Sequence, residues 1–114
     1  MSQAKGKRAA GWVAAYLRAW FPSAEKPGSS SLPGRDILGT PGLAVEVKTG
    51  VEWRHRWVDQ AAGYAAPGEL AVIFYLPPGC GERSVGDALA VLPVRALMPL
   101  LVAAGYAPAP EEVS

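Results

Sequence analysis

The run Leu70-Ala71-Val72-Ile73-Phe74-Tyr75-Leu76 constrains this chain more than any other segment. It is seven apolar residues without a break, with Pro67-Gly68 before it and Pro77-Pro78-Gly79 after it. An apolar run of that length between turn residues reads as a strand covered on both faces. It predicts a central strand, and the flanking segments must supply a cover for each side of its sheet.

Those segments have suitable periods. In residues 10–21 the apolar positions Ala10, Val13, Ala14, Leu17 and Phe21 recur at steps of three and four, which predicts a helix closed by Pro22. Residues 53–66 repeat the pattern, with Trp53, Trp57, Ala61 and Tyr64 on one stripe and Pro67-Gly68 as the stop. Between these helices, residues 23–34 form a loop rich in Ser, Pro and Gly. Residues 35–38 and Leu43–Thr49 predict two arms of a hairpin around Gly39-Thr40-Pro41-Gly42. Residues 88–93 predict a further strand, and 94–104 a last helix limited by Pro99. Mixed strands and helices with a doubly covered strand predict an α/β sandwich, a central mixed sheet flanked by helices.

A chain of 114 residues, 50% of them hydrophobic, fits a single domain over 1–114 with a core large enough to need no disulfide or structural metal. Residues 1–8 are expected to form a flexible basic arm, and 107–114 a flexible tail. The single Cys80 has no disulfide partner, and the single His55 lies too far along the chain to suggest a Cys-His pair. The basic start followed by Ala9-Ala10-Gly11-Trp12-Val13-Ala14-Ala15-Tyr16-Leu17 imitates a signal peptide, but Arg18 ends the apolar run without a convincing cleavage site. No stretch approaches the roughly 20 apolar residues that span a bilayer. A soluble intracellular protein, with no membrane partner, is expected.

The 11 basic and 10 acidic residues leave a net charge of +1, so contact with nucleic acid must come from local clustering. In Leu43-Ala44-Val45-Glu46-Val47-Lys48-Thr49 the strand period puts Leu43, Val45 and Val47 on the core face and Glu46 and Lys48 on the other. As an isolated pair Glu46 and Lys48 would contribute about 0–1 kcal/mol on a solvated surface. Asp36, on the preceding hairpin arm, changes that reading because strand pairing would bring its carboxylate to Glu46. Two close carboxylates repel, and a hard divalent cation such as Mg²⁺ relieves the repulsion. Such an ion lowers the pKa of a bound water and neutralises charge at a phosphodiester under attack, with Lys48 holding the water or the phosphate.

Taken together, Gly34-Arg35-Asp36-Ile37, Val45-Glu46-Val47-Lys48-Thr49 and Trp57-Val58-Asp59-Gln60-Ala61, with a weaker echo in Val85-Gly86-Asp87, resemble the PD-(D/E)XK nucleases. Within that superfamily the chain is most similar to the small Holliday-junction-resolvase-like proteins of bacteriophages. The resemblance covers most of the chain, roughly residues 6–104. It implies a restriction-endonuclease-like sandwich and a metal-dependent endonuclease acting on branched DNA in recombination, phage-encoded and cytoplasmic in a bacterial host. It further implies that Asp36, Glu46 and the carbonyl of Val47 ligate Mg²⁺, or Mn²⁺ in its place, and that Lys48 assists catalysis. Gln60 and Tyr64, at i and i+4, resemble the Gln-x-x-x-Tyr element of some of these nucleases.

Arg35, Arg54 and Arg56, with His55 among them, are candidate phosphate contacts, as are Lys5, Lys7 and Arg8 along a DNA backbone and Ser30 in the loop. With Asp36 and Glu46 neutralised by metal and Glu111 and Glu112 in the tail, six acids face 11 basic residues. Resolvases that cut two symmetric strands act as dimers, which implies a homodimer; Leu97, Leu100 and Leu101 on the last helix are candidates for its interface. The family pattern departs at two positions: the Pro that commonly precedes the aspartate is replaced by Arg35 after Pro33-Gly34, which changes how the strand is entered, and a Glu common on the first helix aligns with Ala10. The missing Glu implies reduced activity, a shift of its load to Glu25 or another acid, or a module that binds DNA or assembles without cutting. A nuclease of linear or single-stranded DNA would share the same residues.

Overall fold

The computed structural model describes residues 2–28 and 35–110. Its elements follow in the order α1 (Ser2–Leu17), β1 (Leu43–Thr49), α2 (Arg56–Tyr64), β2 (Leu70–Leu76), a 3₁₀ helix (Glu82–Asp87), β3 (Leu89–Val91) and α3 (Val94–Ala103). The strands form one mixed sheet in the order β1-β2-β3, with β1 parallel and β3 antiparallel to β2. The run Leu70–Leu76 is thus the central strand of an α/β fold, as its unbroken apolar sequence predicts. Among the described residues no helix is long and apolar enough to cross a membrane.

Alternation along the strands divides the core in two. Val45 and Val47 of β1 and Val72 and Leu76 of β2 pack with Ala9, Ala10, Val13, Ala14 and Leu17 of α1. On the opposite face Ile73 and Tyr75 of β2 pack with Trp57 and Ala61 of α2. Each apolar side chain fully removed from water contributes about 1.5–3 kcal/mol, so the sheet and its two covering helices stabilise one another. The parallel pairing of β1 with β2 follows from the α2 crossover between them.

Four expectations are corrected. Residues 35–38 do not pair with β1 as a hairpin arm; Leu38 forms an isolated antiparallel bridge with Glu25 instead. The turn that turns the chain aside includes Gly39, at φ +80°, where a Cβ would collide with the carbonyl of Ser23. The first helix begins at Ser2 and ends at Leu17, so Lys5, Lys7 and Arg8 belong to its opening turns and not to a separate arm. The second helix begins only at Arg56, because Trp53 turns edge-on against Trp57 and Tyr75, with ring centroids 5.1 and 5.7 Å away. Tyr64, placed on the buried stripe by its spacing, is 46% exposed at the end of α2.

Candidate metal and phosphodiester site

The site forms along the outer edge of β1, the edge that β2 leaves free. Successive strand residues turn their N–H and C=O groups to alternate edges. Val47 turns its N–H outward and donates it to Oδ2 of Asp36 at 2.7 Å. Its carbonyl therefore faces the same edge, beside Asp36. The side chain of Asp36 occupies the ladder position that a paired backbone would have taken, which is why the two acids meet without a hairpin.

Asp36 is held from both sides. Its neighbour Ile37 is buried in the α1-facing core, and its other neighbour Arg35 makes a two-pronged ion pair with Glu69, one arm at 3.0 Å. Glu69 also accepts the N–H of Ala66 at 2.7 Å, in the turn that leads into β2. Both contacts hold the Glu69 carboxyl below the ordinary carboxylate range, the Arg35 hydrogen bond being the stronger influence. Arg35, expected to reach phosphate, is thus committed to Glu69 and acts as a clamp on the Asp36 segment.

Glu46 projects from the other face of β1 to Val45 and Val47 and is only 5% exposed. Its pKa is pushed up to about 7, first by burial and then by the charge of Asp36, against the opposing pull of Lys48. The ammonium of Lys48 stands 3.7 Å from its Oε2. Among the described residues its Oε1 is buried without a hydrogen-bond partner. A carboxylate oxygen in that condition costs about 1–3 kcal/mol or more, and a cation between Glu46 and Asp36 would remove the deficit. The residues present therefore fit a hard divalent ion held by Asp36, Glu46 and the carbonyl of Val47. No third acidic, His or Cys side chain joins them among the described residues.

Lys48 lies between this carboxylate and an aromatic wall. Its Nζ is 5.6 Å from the centre of the Trp57 ring, within the range of a cation–π contact. Tyr75, its register partner on β2, packs on Trp53 and Trp57 and donates its hydroxyl to the carbonyl of Gly50 at 2.5 Å. The helical spacing of Trp53 and Trp57 predicts only a packed stripe, and no motif marks Glu69 or Tyr75 as part of the site. The i, i+4 spacing of the two Trp residues beside a strand ending in Tyr75-Leu76 was the available signal.

The remaining candidates are placed as follows. Gln60 is exposed on α2, and no hydrogen bond or ion pair joins it or Tyr64 to Asp36, Glu46 or Lys48 among the described residues. Arg54, His55 and Arg56 are exposed where the chain enters α2, next to Trp57. Arg8 is exposed on α1, whereas the side chains of Lys5 and Lys7, and all of Ser30, lie outside the described residues. Ala10 is buried with Val45 and Val47, on the face of β1 opposite Glu46. No protein-family model, curated protein or solved structure matches the chain.

Proposed function

We propose that this chain is a divalent-metal-dependent endodeoxyribonuclease with the restriction-endonuclease-like sandwich of the PD-(D/E)XK superfamily. Its substrate on this reading is branched DNA, such as a four-way junction in recombination, within a phage-infected bacterial cytoplasm. The observation that carries the proposal is the buried Glu46 carboxylate, set beside Asp36 and Lys48 with one oxygen unpartnered. Burial of a lone acid that fulfils no packing need is characteristic of sites where the charge is used.

Asp36, Glu46 and the carbonyl of Val47 would hold Mg²⁺, or Mn²⁺ in its place. A bound ion of this kind supplies charge neutralisation at the phosphate and a more acidic water. Lys48, steadied by Glu46 and the Trp57 ring, presents a compact positive charge to a phosphate oxygen or the attacking water. Arg54 and Arg56 supply phosphate contacts at the entrance to α2, with Arg8 as a further backbone contact from α1; Lys5, Lys7 and Ser30 enter this reading on the sequence alone. Gln60 and Tyr64, exposed one turn apart on α2, are available to the substrate in the same reading.

The absence of a third ligating side chain among the described residues favours a second reading, a DNA-binding or assembly module of the same fold with little catalysis. Incubation of the full chain with end-labelled junction, duplex and single-stranded DNA in Mg²⁺ or Mn²⁺ separates the two. The nuclease reading expects metal-dependent cutting of the junction that Lys48→Ala lowers by about 100-fold or more. Folded protein that binds DNA yet cuts none of these substrates supports the second reading and overturns the first.

A further inference from the structure

The first helix buries one face and carries a row of rings on another. Ala9, Ala10, Val13, Ala14 and Leu17 of α1 lie in the core under the sheet. Arg8, Trp12 and Tyr16 recur at every fourth position, and Trp20 continues the row in the turn that follows Leu17. Trp12 is partly packed against the core, but Tyr16 is 45% and Trp20 63% exposed. Their ring centroids stand 5.4 Å apart with the planes tilted by 46°. Behind Tyr16 lies Gly86, where an added Cβ would come within 3.0 Å of the Tyr16 hydroxyl. The Tyr16 ring is thus braced between Trp20 and the main chain of the 3₁₀ helix, and neither ring belongs to the buried core.

Charge on this part of the chain is one-sided. Residues 1–24 carry Lys5, Lys7, Arg8 and Arg18 and no acid, although the whole chain has a net charge of only +1. Arg8 and Arg18 are exposed, and neither forms an ion pair among the described residues. Arg18 donates its Nε to the carbonyl of Ala24 at 2.8 Å, which anchors the turn that carries Trp20. The 3₁₀ helix behind Tyr16 adds two acids, Glu82 and Asp87, against Arg83, too little to offset four cations.

We propose that this face binds single-stranded DNA, with unpaired bases stacked on Tyr16 and Trp20 and the backbone drawn along Arg8 and Arg18. Every base offers a π-face to an exposed ring, and the phosphates meet the positive charge. A duplex hides its base faces within the stack, so the rings select an unpaired strand. A lipid surface does not fit, because the apolar face that such a helix would insert is already buried under the sheet. Apart from the Tyr16 hydroxyl the row has no neutral polar side chain to read base edges, so binding is indifferent to sequence. The surface lies over the face of β1 opposite Glu46, and the inference does not rest on the nuclease reading.

Fluorescence anisotropy of an end-labelled oligothymidylate of about 15 nucleotides, within the site size of such surfaces, tests it with the full chain in EDTA. The expected result is saturable binding, weaker for a duplex of the same length, and weakened by about 5- to 100-fold in Trp20→Leu and in Tyr16→Leu. Leu keeps apolar bulk without a π-face, whereas Trp20→Phe keeps a ring and should keep most of the affinity. Arg8→Ala should lower the slope of log K against log salt by about 0.7. Both ring positions are exposed, so the variants should remain folded by circular dichroism. Wild-type protein that does not bind the oligothymidylate, binds the duplex as tightly or more so, or is indifferent to both Leu substitutions overturns the proposal. Cutting in Mg²⁺ plays no part in this readout, so the nuclease reading can fail while this one stands.

Discussion

The main-chain N–H of Val47 donates to the carboxylate of Asp36 at 2.7 Å, and this one bond sets the geometry of the site. It brings an acid from a non-strand segment to the free edge of β1. The residues on either side of Val47, Glu46 and Lys48, then share the face that α2 covers. A carboxylate, a second carboxylate, a carbonyl and an ammonium are thereby gathered by a strand that also forms the α1-facing core through Val45 and Val47.

Stability should fall as pH rises through the range in which Glu46 ionises. The folded-state pKa of about 7 lies above the ordinary 4.5. Between those values the folded state holds a proton that the unfolded state releases, so each rise in pH favours unfolding until Glu46 is ionised in both. Glu46→Gln removes this dependence. In metal-free buffer its melting temperature at pH 8 should exceed that of the wild type by several degrees, given that about 1 kcal/mol shifts Tm by about 4–8 °C in small domains. At pH 4.5 the two should nearly coincide.

The clamp by Arg35 on Glu69 should act on metal affinity without touching metal. Glu69→Ala frees Arg35 and loosens the segment that carries Asp36. Second-sphere losses of this kind weaken metal binding by about 10- to 100-fold. Mn²⁺ titration should show that weakening, and Arg35→Ala should reproduce it.

DNA binding should divide the arginines by their partners. Arg54 and Arg56 are exposed on the approach to α2, whereas Arg35 is paired. In fluorescence anisotropy over a series of salt concentrations, each of Arg54→Ala and Arg56→Ala should lower the slope of log K against log salt by about 1. Arg35→Ala should leave it unchanged in the presence of a non-cleaving ion such as Ca²⁺.

Trp57 is both core and wall. Trp57→Ala removes a side chain 8% exposed and should cost about 3–5 kcal/mol in chemical denaturation. Trp57→Phe keeps a ring beneath Lys48 and most of the packing, so it should keep measurable stability and cutting.

What the sequence revealed of this arrangement depended on range. The unbroken run from Leu70 and the alternation from Leu43 are local patterns, and β2 and β1 have those same bounds. The nearness of Glu46 to Asp36 also follows from the sequence pattern, though through a hairpin that does not form. Side-chain capture of the Val47 N–H, made possible by a turn at Gly39, has no periodic signature. The Arg35–Glu69 pair spans 34 residues and joins two loops, so spacing along the chain offered no sign of it. The exposure of Gln60 and Tyr64 likewise reflects how far α2 is rolled on the sheet, which a helical period alone leaves undetermined.

The most direct test of the central claim is Mn²⁺ binding by the purified chain at pH 7.5, followed by titration calorimetry and by electron paramagnetic resonance of free Mn²⁺. The account predicts saturable uptake that weakens as pH falls below about 7, where Glu46 is protonated. It also predicts loss of that uptake in Asp36→Asn and in Glu46→Gln. Folded wild-type protein that takes up no Mn²⁺, or takes it up equally well after both substitutions together, would contradict it.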